Sequence, residues 1–70
     1  MRKVFSPRKL ALARGRARIL QTELGKQAGI SSRQISRYET GEQEPRLTAI
    51  ARLADVLNIE PDDLFDDADE

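Results

Sequence analysis

The chain contains neither cysteine nor histidine, and each absence removes a class of chemistry. Without cysteine there are no disulfides and no thiolate metal ligands to staple a small fold. Without histidine the usual neutral-pH acid–base group and the commonest metal ligand are gone. Both absences argue against an enzyme, and no metal or cofactor site is expected. No apolar run approaches the ~20 residues of a membrane span. Met1-Arg2-Lys3 imitates the basic start of a secretory signal, but Val4-Phe5 gives way at once to Ser6-Pro7-Arg8-Lys9, where an apolar core would have to continue. The expectation is a cytoplasmic protein with no membrane partner.

What is present is one small domain. A chain of 70 residues buries only roughly 60% of the surface its unfolded form exposes, so compact helix-on-helix packing is the route left to stability. The formal net charge is zero, which by itself speaks against a polyanionic partner. Its distribution speaks the other way. Residues 1–37 carry ten Lys and Arg (Arg2, Lys3, Arg8, Lys9, Arg14, Arg16, Arg18, Lys26, Arg33, Arg37) against Glu23 alone, a balance of +9. Residues 38–70 carry Arg46 and Arg52 against eleven acids, a balance of −9. Such asymmetry suggests a dipolar molecule with one face turned to a polyanion. The plainer alternative is a solvated surface whose segments intermix on folding.

The chain punctuates itself into five short helical segments, with no strand-like alternation. Ser6-Pro7 predicts a helix start, a side-chain cap followed by proline at the first helical position. The first helix runs to about Ala17, with Leu10, Ala13 and Ala17 on one face. The second spans Gln21 to Ala28, and Gly29 is the left-handed stop. Ser31 opens the third, which ends near Thr40-Gly41; Ser31 and Gln34 have the spacing of a capping box. The fourth runs from Leu47 to Leu57, with Leu47, Ile50, Leu53, Ala54 and Leu57 at helical spacing. A short fifth helix starts at Pro61 and carries Leu64 and Phe65. Residues 6–65 then form one domain, and residues 66–70 an acidic, disordered tail.

Between Gln21 and Tyr38 the apolar positions are Leu24, Ala28, Ile30, Ile35 and Tyr38. Two helices crossing at a wide angle over a short turn need a small residue where they touch, which Gly25 supplies. They need a residue free to take positive φ at the corner, which Gly29 supplies. With Ile35 and Tyr38 turned inward, the opposite face of the third helix shows Ser32, Arg33, Ser36 and Arg37. Short polar side chains and guanidiniums suit a helix entering the major groove. There arginine donates two hydrogen bonds to guanine O6 and N7.

The run Gln21, Glu23-Leu24-Gly25, Gly29-Ile30-Ser31, Ile35-Ser36-Arg37-Tyr38-Glu39 and Gly41 resembles the Cro/repressor-type (XRE) helix-turn-helix family. Pro45, the Leu47–Leu57 helix and the Pro61–Phe65 ending match too, so the resemblance covers about residues 8–65. It implies an all-α, five-helix, lambda-repressor-like DNA-binding domain and a transcriptional regulator, in the first instance a repressor. It further implies a homodimer on a palindromic operator of double-stranded DNA, with no small-molecule ligand. The resemblance makes Gln21 an anchor for a backbone phosphate, although it could merely cap its own helix. It turns Ser32, Arg33 and Arg37 to base edges and sets Thr40 and Arg46 against phosphates. Ser31 is first a cap and only secondarily a phosphate contact; Ser36 is a reader or simply small enough to let the helix approach. Arg14 and Glu39 look like the family's structural ion pair. Surplus apolar residues near the C-terminus (Val56, Leu57, Ile59, Leu64, Phe65) are expected to serve the dimer. The pattern differs at Arg18, where glycine commonly ends the first helix, at Leu20, where a polar cap is common, and at Glu42 and Glu44, in a loop that is often basic. Alternatives are an antitoxin or restriction–modification controller of the same fold, and a protein-interaction module with weak DNA affinity.

Overall fold

Ser6 and Pro7 start the first helix as the sequence predicts. The Ser6 hydroxyl accepts a hydrogen bond from the Lys9 N–H at 3.1 Å, and Pro7 sits in the first turn. The computed structural model describes residues 2–68; in it this helix, α1 (Pro7–Ala17), is followed by α2 (Gln21–Ala28), α3 (Ser32–Thr40) and α4 (Leu47–Leu57). A strand β1 (Arg2–Phe5) precedes α1, and a 3₁₀ turn (Pro61–Leu64) leads from α4 into β2 (Phe65–Ala68).

The fold is thus mostly helical, with two departures from the five-helix, all-α expectation. The fifth helix is a single 3₁₀ turn of four residues. It cannot lengthen, because Phe65 is already extended (φ −120°, ψ 150°) and the Leu64 carbonyl accepts the Ser6 N–H at 2.8 Å. Beyond it, Asp66–Ala68, expected to be disordered, pair antiparallel with β1: Arg2 lies opposite Ala68, Val4 opposite Asp66 and Phe5 opposite Phe65. Asp69 and Glu70 of the expected tail lie outside the described residues. The Phe5 and Phe65 rings meet edge to face, centroids 6.5 Å apart, a favoured aromatic geometry.

This clasp also redistributes the charge. Lys3 Nζ lies 3.2 Å from Asp62 and 3.5 Å from Asp67, and Lys9 Nζ lies 2.9 Å from Asp66 while donating to the Phe65 carbonyl at 2.7 Å. The C-terminal acids therefore fold back on two of the N-terminal lysines. The hydrogen bond and charge of Asp62 raise the Lys3 pKa, and the hydrogen bond from Lys9 holds the Asp66 carboxyl below its ordinary value. All five side chains are 43–69% exposed, so each ion pair adds little stability.

Leu10, Leu24, Ile35, Ile50, Leu53 and Leu64 are fully buried at the centre, joined by Phe5, Ala28, Tyr38, Ala54 and Leu57. Two expected core positions are not in it. Ala17, the last residue of α1, is exposed, and Leu47, the first of α4, is 78% exposed while Pro45 just before it is buried. Conversely, Leu57 and Leu64 belong to the chain's own core, with Val56, Ile59 and Phe65 packed against it. The surplus expected to serve a dimer is largely used within one chain.

The corner between α2 and α3 rests on two glycines. Gly29 takes φ +72° and its N–H closes α2 on the Gly25 carbonyl. Gly25 has ordinary helical geometry but no room: a Cβ there would collide with the Ile30 carbonyl oxygen and reach 3.3 Å from the Ser32 nitrogen. After α1 the same left-handed conformation falls to Arg18 (φ 60°), at the cost of roughly 1–2 kcal/mol that glycine would not incur. Its N–H still closes the helix on the Arg14 and Gly15 carbonyls.

Candidate nucleic-acid interface

Ile35 and Tyr38 are buried and fix the rotation of α3 about its axis. That rotation leaves Arg33 and Arg37 exposed on one side, one turn apart, with Ser32 and Ser36 half-buried beside them. Ser31 caps the helix, its hydroxyl accepting the Gln34 N–H at 3.1 Å; among the described residues only this half of the expected capping box forms. At the far end Gly41 (φ 85°) turns the chain, and the Glu42 N–H donates to the Arg37 carbonyl at 3.0 Å. The Thr40 hydroxyl donates to that same carbonyl at 3.2 Å. A phosphate would have to draw Thr40 away from this bond.

Behind α3 lies a three-residue clamp. Arg14 Nε and Nη2 donate to the two oxygens of Glu39 at 2.7 and 3.0 Å, and Arg14 Nη1 donates to the Ile19 carbonyl at 3.0 Å. The Arg14 and Glu39 side chains are 22% and 8% exposed, and the hydrogen bond to Glu39 raises the Arg14 pKa. Gln21 joins them, its Nε2 donating to Glu39 Oε1 at 3.0 Å. Gln21 therefore does not cap its own helix. One of its amide hydrogens orients it against the end of α3 and leaves the other for a ligand. Glu39→Ala would strand a largely shielded guanidinium and release Gln21. Removing one partner of a well-buried pair costs about 3–5 kcal/mol. With Arg14 partly hydrated, the expected loss is about 1–3 kcal/mol, the cost of leaving shielded donors without their acceptor, read as a lower urea midpoint.

The helix N-termini divide into two kinds. Serine side chains cap α1 and α3, whereas α2 and α4 begin at Leu20 and Arg46 with no side-chain hydrogen bond to their free N–H groups. Uncapped N–H groups and the positive end of the helix dipole suit an oxyanion such as phosphate. Glu23 shares the first turn of α2, while the first turn of α4 holds no acid. Gln21 and Arg46, both expected at phosphates, sit at these two uncapped ends. The expected readers cluster on α3.

Two features escape reading by sequence spacing. The Gln21–Glu39 bond joins residues on different helices. Glu42 is brought by the Gly41 turn to Arg37, its Oε1 3.9 Å from Arg37 Nε, five positions on and beyond the usual i, i+4 rule. Among the described residues no buried side-chain polar atom lacks a partner, and no group of three His, Cys, Asp or Glu could hold a metal. None of their helices is long and apolar enough to cross a membrane.

A family model described as a helix-turn-helix domain matches residues 8–68. Among solved structures, the P22 c2 repressor in complex with a synthetic operator is similar to this chain at 31% identity and a TM-score of 0.80, over 87% of this chain and 92% of that one. The DNA-binding domain of the P22 c2 repressor in solution gives 31% identity and 0.82, over 91% and 84%. The restriction–modification controller protein C.AhdI from Aeromonas hydrophila gives 29% identity and 0.82, over 84% and 89%. No curated protein matches.

Proposed function

The chain belongs to the helix-turn-helix domain family, and from that premise we propose that it is a DNA-binding transcriptional regulator whose α3 lies in the major groove of an operator. The observation that carries this reading is the pair Arg33 and Arg37, exposed on a helix that two buried side chains hold at a fixed rotation. Arg33 and Arg37 read base edges, with Ser32 and Ser36 close against the groove. Gln21, Ser31, Thr40 and Arg46 hold backbone phosphates around them. Contacts of the second kind set orientation and register, and those of the first kind set sequence.

The protein acts as a repressor by occluding polymerase, with no cofactor, no catalysis and no small-molecule ligand. It binds as a homodimer on a palindrome, the two α3 helices reaching half-sites ~34 Å apart. Leu47 supports this, being 78% exposed at the start of α4 and so available to a second copy. Control of a restriction–modification operon is the second reading, favoured by the likeness to C.AhdI.

The test is fluorescence anisotropy with two duplexes of equal length, one selected by the protein from a random pool and one of random sequence, over a range of KCl. The selected duplex should bind at least ~1,000-fold more tightly than the random one. Both affinities should fall linearly on a logarithmic salt scale. Affinity independent of salt on both duplexes would contradict the reading.

A further inference from the structure

We infer that Glu42 is a positioning residue for Arg37, and that it sets how strongly the protein prefers its operator to random DNA. The inference rests on the reading of α3 as a DNA reader and names a specificity determinant of that site. Glu42 follows the Gly41 turn, where its N–H bonds the Arg37 carbonyl at 3.0 Å and its carboxylate faces Arg37 Nε at 3.9 Å. The side of the guanidinium matters. A carboxylate facing Nε leaves Nη1 and Nη2 free, and these two groups can form the fork that guanine O6 and N7 accept. Glu42 thus engages the one edge of Arg37 that such base reading does not need.

The same charge works against other modes of binding. An arginine released from Glu42 can turn to any phosphate, which adds affinity without sequence information. A carboxylate beside the guanidinium opposes that alternative and repels the backbone, while its position at Nε leaves the two Nη groups open to the base-directed fork. Both side chains are largely exposed, 46% for Arg37 and 69% for Glu42. Their pairing is therefore weak, and its loss leaves the fold intact. Glu44, two residues on, carries the same charge in the same loop and forms no ion pair with Arg37 among the described residues. It serves as the control for charge alone.

The experiment measures Kd for wild type, Glu42→Gln and Glu44→Gln on the selected and random duplexes at one salt concentration. Glu42→Gln should tighten binding to the random duplex roughly 3- to 10-fold, as expected when one negative charge leaves a phosphate-facing surface. On the selected duplex the same gain is offset by the loss of Arg37 orientation, so the preference for the operator falls by at least ~3-fold. Glu44→Gln should move both duplexes by the same factor and leave the preference unchanged. Equal shifts on both duplexes for Glu42→Gln, or no shift at all, would overturn the inference. A wild-type protein that does not distinguish the duplexes would overturn the reading of α3 itself.

Discussion

Gly25→Ala should cost the protein a large share of its stability, although the substitution adds one methyl group and improves helix propensity. The methyl would collide with the Ile30 carbonyl oxygen and approach Ser32 N and Ser31 C to 3.3 and 3.4 Å. All three are backbone atoms, so no rotamer change relieves the contact. The Ile30 N–H is also tied to the Gly25 carbonyl at 2.9 Å, which prevents the turn from swinging away. Overpacking of this kind costs about 1–3 kcal/mol and occasionally more. At roughly 0.05–0.15 kcal/mol per residue, a domain of this size has only about 4–10 kcal/mol in total. Gly15 provides the contrast, since a Cβ there meets nothing within 4 Å. Gly15→Ala should therefore stabilise by about 0.5–1 kcal/mol. Urea denaturation of both variants checks the pair. A Gly25→Ala midpoint equal to wild type would show that the corner is not close-packed.

The second large effect is on binding. Arg33→Ala and Arg37→Ala should each weaken binding to the selected duplex by about 1–3 kcal/mol, or roughly 5- to 150-fold, and relax preference at one base pair. Both side chains are exposed and outside the core, so unfolding midpoints should stay near wild type. The two positions lie one turn apart on the same helix, close enough to couple, so the double variant need not show the product of the single losses. Isothermal titration against selected and random duplexes separates the roles. Equal losses on both would make the arginines phosphate contacts and move sequence reading elsewhere.

The boundaries of α2 and α4 were legible because strong local signals agree at them. Gly29 closes α2, and the apolar spacing of Ile50, Leu53 and Leu57 carries α4 through to its end. The exposed face of α3 was legible for a related reason: once Ile35 and Tyr38 face inward, helical geometry alone determines that Arg33 and Arg37 face outward. The β1–β2 clasp had no such signal. Its strands are four residues each, too short for an alternation to register, and they pair across nearly the whole chain. The acids of Asp66 and Asp67 read as a solvated tail because their partners, Lys9 and Lys3, lie at the other end of the sequence. Arg18 in a left-handed conformation was hidden for the opposite reason. Its type argues against positive φ, and only the direction in which the chain must leave α1 demands it. Leu47 has the right spacing for the core but stands at the first turn of α4, where Pro45 is buried in its stead.

The central claim is that α3 reads guanine edges in the major groove, and methylation interference on the selected duplex tests it most directly. Methyl groups at guanine N7 occupy the acceptor that an arginine fork requires. The account predicts that binding is blocked by N7 methylation at guanines in both half-sites. At one of these positions the block should disappear in Arg33→Ala, and at another in Arg37→Ala. Interference confined to adenine N3, in the minor groove, would contradict it.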